Sequence, residues 1–329
     1  MKVSKLHPII TLLLASIMLA ACSTGTATAE VSSPEPTTAP AINTKENMSE
    51  AVATPINVTV SILPEKYFVE RIGGDYVNVN VMVGPGDSPH TYEPKSDQMT
   101  ALSQASVYFS IGVDFEAAWM ERIAAANTDM QIVDVSANLE KIPMTAHHHH
   151  EGEESSAAEE EEEGGLDPHV WTSPENAKII AQSIYETLAA IDPAHEADFQ
   201  TNLASFTADI DQLEVDINAN LAGITSKKFI VFHPAWGYFA RDFGLEQIAI
   251  EIEGSEPSAQ ELAGIIDEAK EENVKVIFGA PEFSTKTAEY IAEEVNGQVI
   301  LIDPLAEDWL ENLRNVSATF GEALNNQNG

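Results

Sequence analysis

The chain has 329 residues, with 16 Lys and Arg against 53 Asp and Glu, a formal charge of −37. That balance argues against a nucleic-acid binder, which needs a basic surface to displace counterions from phosphates. A single cysteine excludes an internal disulfide framework and any zinc site built from cysteines.

Lys2 and Lys5 precede an apolar run from Ile9 to Ala21, broken only by Thr11 and Ser16. The run is shorter than the ~20 residues of a membrane span and fits the core of a signal peptide. It ends in Leu19-Ala20-Ala21-Cys22, which resembles the lipobox of bacterial lipoproteins, whose cysteine is lipidated and becomes the mature first residue. Residues 1–22 are therefore expected to be a leader and Cys22 a lipid anchor. No later stretch is apolar enough to cross a bilayer. In residues 23–55, Thr, Ser, Pro and Ala make up 21 of 33 positions and aromatics are absent. Such a segment cannot bury enough surface to fold. It reads as a flexible tether reaching roughly 30 Å.

Beyond it, β-rich runs are expected at 56–63, 77–83, 105–112 and 131–136, then at 228–233, 247–253, 274–280 and 298–303. Helical patterns separate most of them, including 93–105, 114–127, 258–273 and 284–296. The third opens on a capping box, Ser258 with Glu261, and the fourth stops before Gly297. Strands alternating with helices predict an α/β chain: two lobes, each with a four-stranded, mainly parallel sheet flanked by helices. Between them Phe199, Leu203, Phe206, Ile210, Leu213, Ile217 and Leu221 recur every three or four residues, the stripe of one long helix. The expected order is an N-terminal lobe over 56–191, a linking helix over 192–222 of roughly 45 Å, and a C-terminal lobe over 223–329.

Residues 145–165, TAHHHHEGEESSAAEEEEEGG, interrupt the first lobe with almost nothing apolar to bury. Eight Glu lie in 151–163, which leaves about −29 for the rest of the chain, so the folded part is acidic in its own right. The insertion reads as disordered, and His147, His148, His149 and His150 beside that acid offer weak cation sites.

Of the other histidines, His7 falls in the leader and His195 reads as a solvated surface residue. His90 lies in GPGDSPHTYEP just after a strand. His169 lies in DPHVWTSP before a helix capped by Ser173. His233 ends a strand and precedes Pro234. Asp303, in LIDPL, also ends a strand. Ligands of open parallel sheets bind outside the carboxyl ends of the strands. At least three of these four side chains could therefore converge in a crevice between the lobes. Taken singly each is a weak signal; as a set they are three imidazoles and a carboxylate, donors suited to tetrahedral Zn²⁺. Four protein ligands would hold a metal rather than leave a position for catalysis.

The segments GDSPHTYEP, DPHVWTSPENA, FHPAWGYFARDFGL and LIDPL, with GVDFEAAWMERI and EGSEPSAQEL, resemble the zinc/manganese solute-binding proteins of bacterial ABC importers (cluster A-I) over about residues 56–325. The resemblance implies two α/β lobes joined by a backbone helix, a metal held by His90, His169, His233 and Asp303, and delivery to an importer permease. Manganese-preferring members tend to carry Glu at the third position, and His233 favours zinc, with Mn²⁺ the alternative. Pro89 stands where some zinc-uptake members carry Glu, which leaves Asp303, in competition with a water, for the fourth position. Such members often carry a His- and acid-rich insertion ahead of the second ligand, and here it is expected to gather zinc loosely. Glu251, Glu253 and Glu256 are candidate partners of the imidazoles, with a solvated charged rim as the other reading. The protein is expected to act as a monomer on the outer face of the cytoplasmic membrane or in the periplasm. The competing functions are a surface adhesin or zinc-storage lipoprotein, and a zinc hydrolase. The hydrolase lacks a His-Glu-x-x-His helix to support it.

Overall fold

A computed structural model describes residues 54–144, 165–251 and 255–325. The leader, Cys22, residues 23–53 of the tether, His147–His150 with their acidic run, and Glu253 lie outside the described residues.

The first sheet contains β1 (Ile56–Val60), β2 (Val77–Val81), β3 (Val107–Ser110) and β4 (Gln131–Asp134). The second contains β5 (Lys228–Val231), β6 (Glu246–Ala249), β7 (Val276–Gly279) and β8 (Gln298–Leu301). Both are wholly parallel and share one plan, β2-β1-β3-β4 and β6-β5-β7-β8. The order reverses at β1/β3 in one sheet and at β5/β7 in the other. A reversal opens a crevice at the strand C-termini, because the crossovers on either side leave in opposite directions. The helices are α1 (Leu63–Gly73), α2 (Ser96–Leu102), α3 (Asp114–Ala126), α4 (Pro174–Ile191), α5 (Glu196–Asn220), α6 (Gly237–Phe243), α7 (Ala259–Glu271), α8 (Lys286–Glu294) and α9 (Trp309–Asn325). Among the described residues no helix is long and apolar enough to cross a membrane.

Local chemistry sets these boundaries. The Ser173 hydroxyl accepts from the Asn176 amide and Pro174 occupies the first turn of α4, where its missing N–H costs nothing. Ser258 and Glu261 form a reciprocal capping box on α7. Past α8 the left-handed residue is Asn296 (φ 52°), and Gly297 serves another purpose. A Cβ there would lie 2.3 Å from the Lys275 carbonyl, so glycine is required by close approach.

The linking helix is shorter than its sequence pattern suggests. Asp192 caps a separate 3-10 turn, Pro193–His195, by accepting from the Ala194 amide, and α5 itself has 25 residues. His195 is anchored there: Nδ1 lies 2.5 Å from Asp192 Oδ2 and its ring stacks on Tyr76 at 3.9 Å. Phe199, Phe206, Ile210, Leu213 and Ile217 are fully buried, with α5 packed on α1, α4 and α9. Their stripe belongs to an apolar core that runs through both lobes. Further bonds tie the lobes together. Trp171 Nε1 donates to the Pro304 carbonyl at 2.7 Å, Trp309 Nε1 donates to the Trp171 carbonyl at 2.8 Å, and Phe68 meets Trp309 edge to face.

Candidate metal centre

Three loops deliver the imidazoles. His90 sits in the connection after β2. Gly86 (φ 77°) turns that loop, and the Phe115 amide of α3 donates to the Pro89 carbonyl at 3.2 Å. His169 precedes a short 3-10 turn whose Thr172 hydroxyl donates back to the His169 carbonyl. His233 lies two residues past β5, where the Phe232 amide donates to the Phe278 carbonyl of the neighbouring strand.

The three side chains meet. His90 Nε2 lies 3.0 Å from His233 Nε2, which lies 3.1 Å from His169 Nε2. One nitrogen from each falls within 4.8 Å of the others, and among the described residues this is the only such group of metal donors. Each Nδ1 is occupied by a carboxylate: Asp114 Oδ2 at 2.6 Å from His90, Asp167 Oδ1 at 2.8 Å from His169, and Glu251 Oε2 at 2.7 Å from His233. An ionised carboxylate only accepts, so each Nδ1 carries the proton and each Nε2 presents a lone pair to a common point. Lone pairs so placed repel unless a cation lies between them. A tetrahedral Zn²⁺ with nitrogens at ~2.0–2.1 Å needs them roughly 3.3 Å apart, close to the spacing found.

The electrostatics prepare the same state. Burial, above all, pushes His233 down from 6.5 to about 4, so it is neutral and able to ligate across the physiological range. The hydrogen bond from His90 holds Asp114 below the usual carboxylate range. Asp167 also accepts from the His169 amide, and its other oxygen is buried against Gly237, where a Cβ would come within 2.6 Å.

Asp303, like Glu282 beside it, falls outside the converging group. Its Oδ1 accepts from the Leu305 amide at 2.7 Å, and it bonds to Glu282, a residue the sequence reading overlooked. Burial and the Asp303 charge push Glu282 up to about 7. Of the three suggested acidic partners, Glu251 contacts a histidine, whereas Glu256 accepts from Thr287 Oγ1. Asp114 and Asp167 were also overlooked. Asp167 left a local trace, an acid two residues before a histidine; Asp114 left none. A larger hollow of about 330 Å³ lies toward the opposite ends of β7 and β8, and its lining contains no cluster of metal donors.

Two lobes on parallel sheets, a continuous core through a backbone helix and three imidazoles in the crevice define a solute-binding protein of the metal-receptor class. Residues 58–323 match the family described as zinc-uptake complex component A, periplasmic, and the chain belongs to that family. A solved structure titled as ZnuA is 43% identical, with a TM-score of 0.75, over 82% of this chain and 99% of that one. A protein of Chlamydia trachomatis serovar D, named as a putative metal-binding protein, is 29% identical over 82% of this chain and 92% of its own. The laminin-binding protein of Streptococcus agalactiae, titled as bifunctional in adhesion and metal transport, is 25% identical over 82% of this chain and 100% of that one, with a TM-score of 0.71.

Proposed function

We propose that this chain is the extracytoplasmic receptor of a zinc importer. It captures one Zn²⁺ on His90, His169 and His233 and passes it to an ABC permease. The observation that carries this reading is the set of three Nε2 lone pairs turned on one point, each fixed by a carboxylate on the far side of its ring. Carboxylate–histidine pairs orient imidazoles and raise their basicity as ligands. Three nitrogens favour Zn²⁺ over the harder Mn²⁺, which prefers oxygen. For the fourth position the family resemblance implies Asp303, in competition with a water.

The same reading anchors the chain through lipidated Cys22 and lets His147–His150 with the neighbouring glutamates gather zinc loosely. It acts as a monomer, carries its ion rather than turning over a substrate, and binds no nucleic acid. Zinc-limited growth separates transport from storage or adhesion. A strain lacking the gene should grow poorly only when zinc is scarce, and His169→Ala should fail to restore it. Full restoration by that variant would refute the reading. Deleting 147–163 should leave one tight site in calorimetry and remove the weak ones; equal stoichiometry in both forms would remove the role given to the loop.

A further inference from the structure

We infer that Glu282, with Asp303 behind it, supplies the fourth donor to the ion held by the three histidines, an assignment that rests on the zinc reading above. All four strands of the second sheet end in a polar residue at the crevice: Glu251 after β6, His233 after β5, Glu282 after β7 and Asp303 after β8. The sheet order is β6-β5-β7-β8, so the neighbours of His233 are Glu251 on one side and Glu282 on the other. Pairing of Val231 with Phe278 places the turn after β7 beside His233. Asp303 stands one strand further out, ~4.8 Å more distant on the strand spacing of a sheet.

Three contacts support the closer residue. The ring of Phe283, next in sequence to Glu282, stacks on His233 at 4.7 Å and lies 6.2 Å from His90, which pins this turn to the imidazoles. A cavity of about 10 Å³, space for about one water-sized body, brings Glu282 and Phe283 to the same wall as His90 and His169, with Pro304 and Leu305; neither His233 nor Asp303 is part of it. Glu282 Oε2 is buried with no hydrogen-bond partner among the described residues, whereas Asp303 Oδ1 is committed to the Leu305 amide. A buried carboxylate oxygen without a partner is costly unless it meets a proton or a cation. Glu282 has one more rotatable bond than an aspartate with which to reach the ion. Asp303 lies beside it, in contact with its carboxyl.

The test uses the full chain loaded with Co²⁺ as a spectroscopic probe, together with zinc affinity by chelator competition, in wild type, Glu282→Gln and Asp303→Asn. Glu282→Gln should shift the visible cobalt band and weaken zinc by on the order of 100-fold, the upper end of what loss of an outer partner costs. Asp303→Asn should keep the band and lose about tenfold, the lower end of that range. Movement of the band by Asp303→Asn but not by Glu282→Gln would overturn the assignment in favour of Asp303. An unchanged band in both would overturn it in favour of solvent. A wild-type protein taking up neither ion at one equivalent would overturn the zinc reading itself, a different failure.

Discussion

Replacing Glu251 by Gln isolates the contribution of one outer partner to the metal centre. Glu251 Oε2 accepts from His233 Nδ1 at 2.7 Å, and the two residues are only 7% and 6% exposed. A hydrogen bond to a charged acceptor contributes ~1.5–3 kcal/mol. Ligation of Nε2 makes the Nδ1 proton more acidic and strengthens the bond, so part of that energy appears as metal affinity and the remainder is already present without metal. If about half is gained on binding, the loss is ~1.5 kcal/mol at the upper end, a factor of about ten in Kd. Glutamine matches the shape and can still accept through its oxygen, so packing is conserved while the charge is removed. Competition against a chromophoric chelator at pH 7.5 reads the change directly. A Glu251→Gln protein binding zinc within twofold of wild type would refute the claim that this carboxylate tunes the imidazole.

Other perturbations follow the same physics. His233→Glu replaces a nitrogen with oxygen and should move the ratio of Zn²⁺ to Mn²⁺ affinity toward manganese, on the order of tenfold, measured by competition between the two ions. In the metal-free protein, His233 resists protonation at about 4 against an unfolded value near 6.5, so the unfolded chain binds the extra proton between those limits. Stability should therefore be fully present above pH 6.5 and fall by ~3 kcal/mol as pH drops to 4; urea unfolding should show a flatter profile for His233→Gln. Glu65 presents the opposite sign. Buried at the start of α1 and close to Glu116, its carboxyl is held well above the usual range while accepting from the Ser61 and Ile62 amides. Its contribution is lost as pH rises through the folded value, so Glu65→Gln should reduce the decline in Tm between pH 5 and pH 8.

The lobes were legible because parallel strands buried on both faces appear as short apolar runs, and because Ser173 and Ser258 mark helix starts through local chemistry; Gly297 followed a helix end, but for its close approach to Lys275 rather than as a cap. Helix α1 was missed because its first turn, Leu63-Pro64-Glu65, continues the apolar run of β1; proline favours that turn, and Glu65 satisfies the amides that precede it. Helix α6 is too short, at seven residues with three aromatics, to show a periodic stripe, whereas α9 carries one in Trp309, Leu313, Val316, Phe320 and Leu324 that the strand-and-helix alternation left unused. Convergence of His90, His169 and His233 depended on topology, to which the positions after strand ends gave access. Asp303 stands at a strand end like His233, but the sheet order puts β7 between them, and sequence order does not reveal which strands are neighbours. Asp114 was hidden for the same reason, as its contact with His90 crosses 24 residues.

X-ray absorption at the zinc edge, on the full chain carrying one equivalent of Zn²⁺, tests the central claim most directly. The account predicts a four-coordinate shell with three imidazole nitrogens at ~2.0–2.1 Å and one oxygen. A shell with fewer than three imidazoles, or a six-coordinate oxygen-rich one, would contradict it.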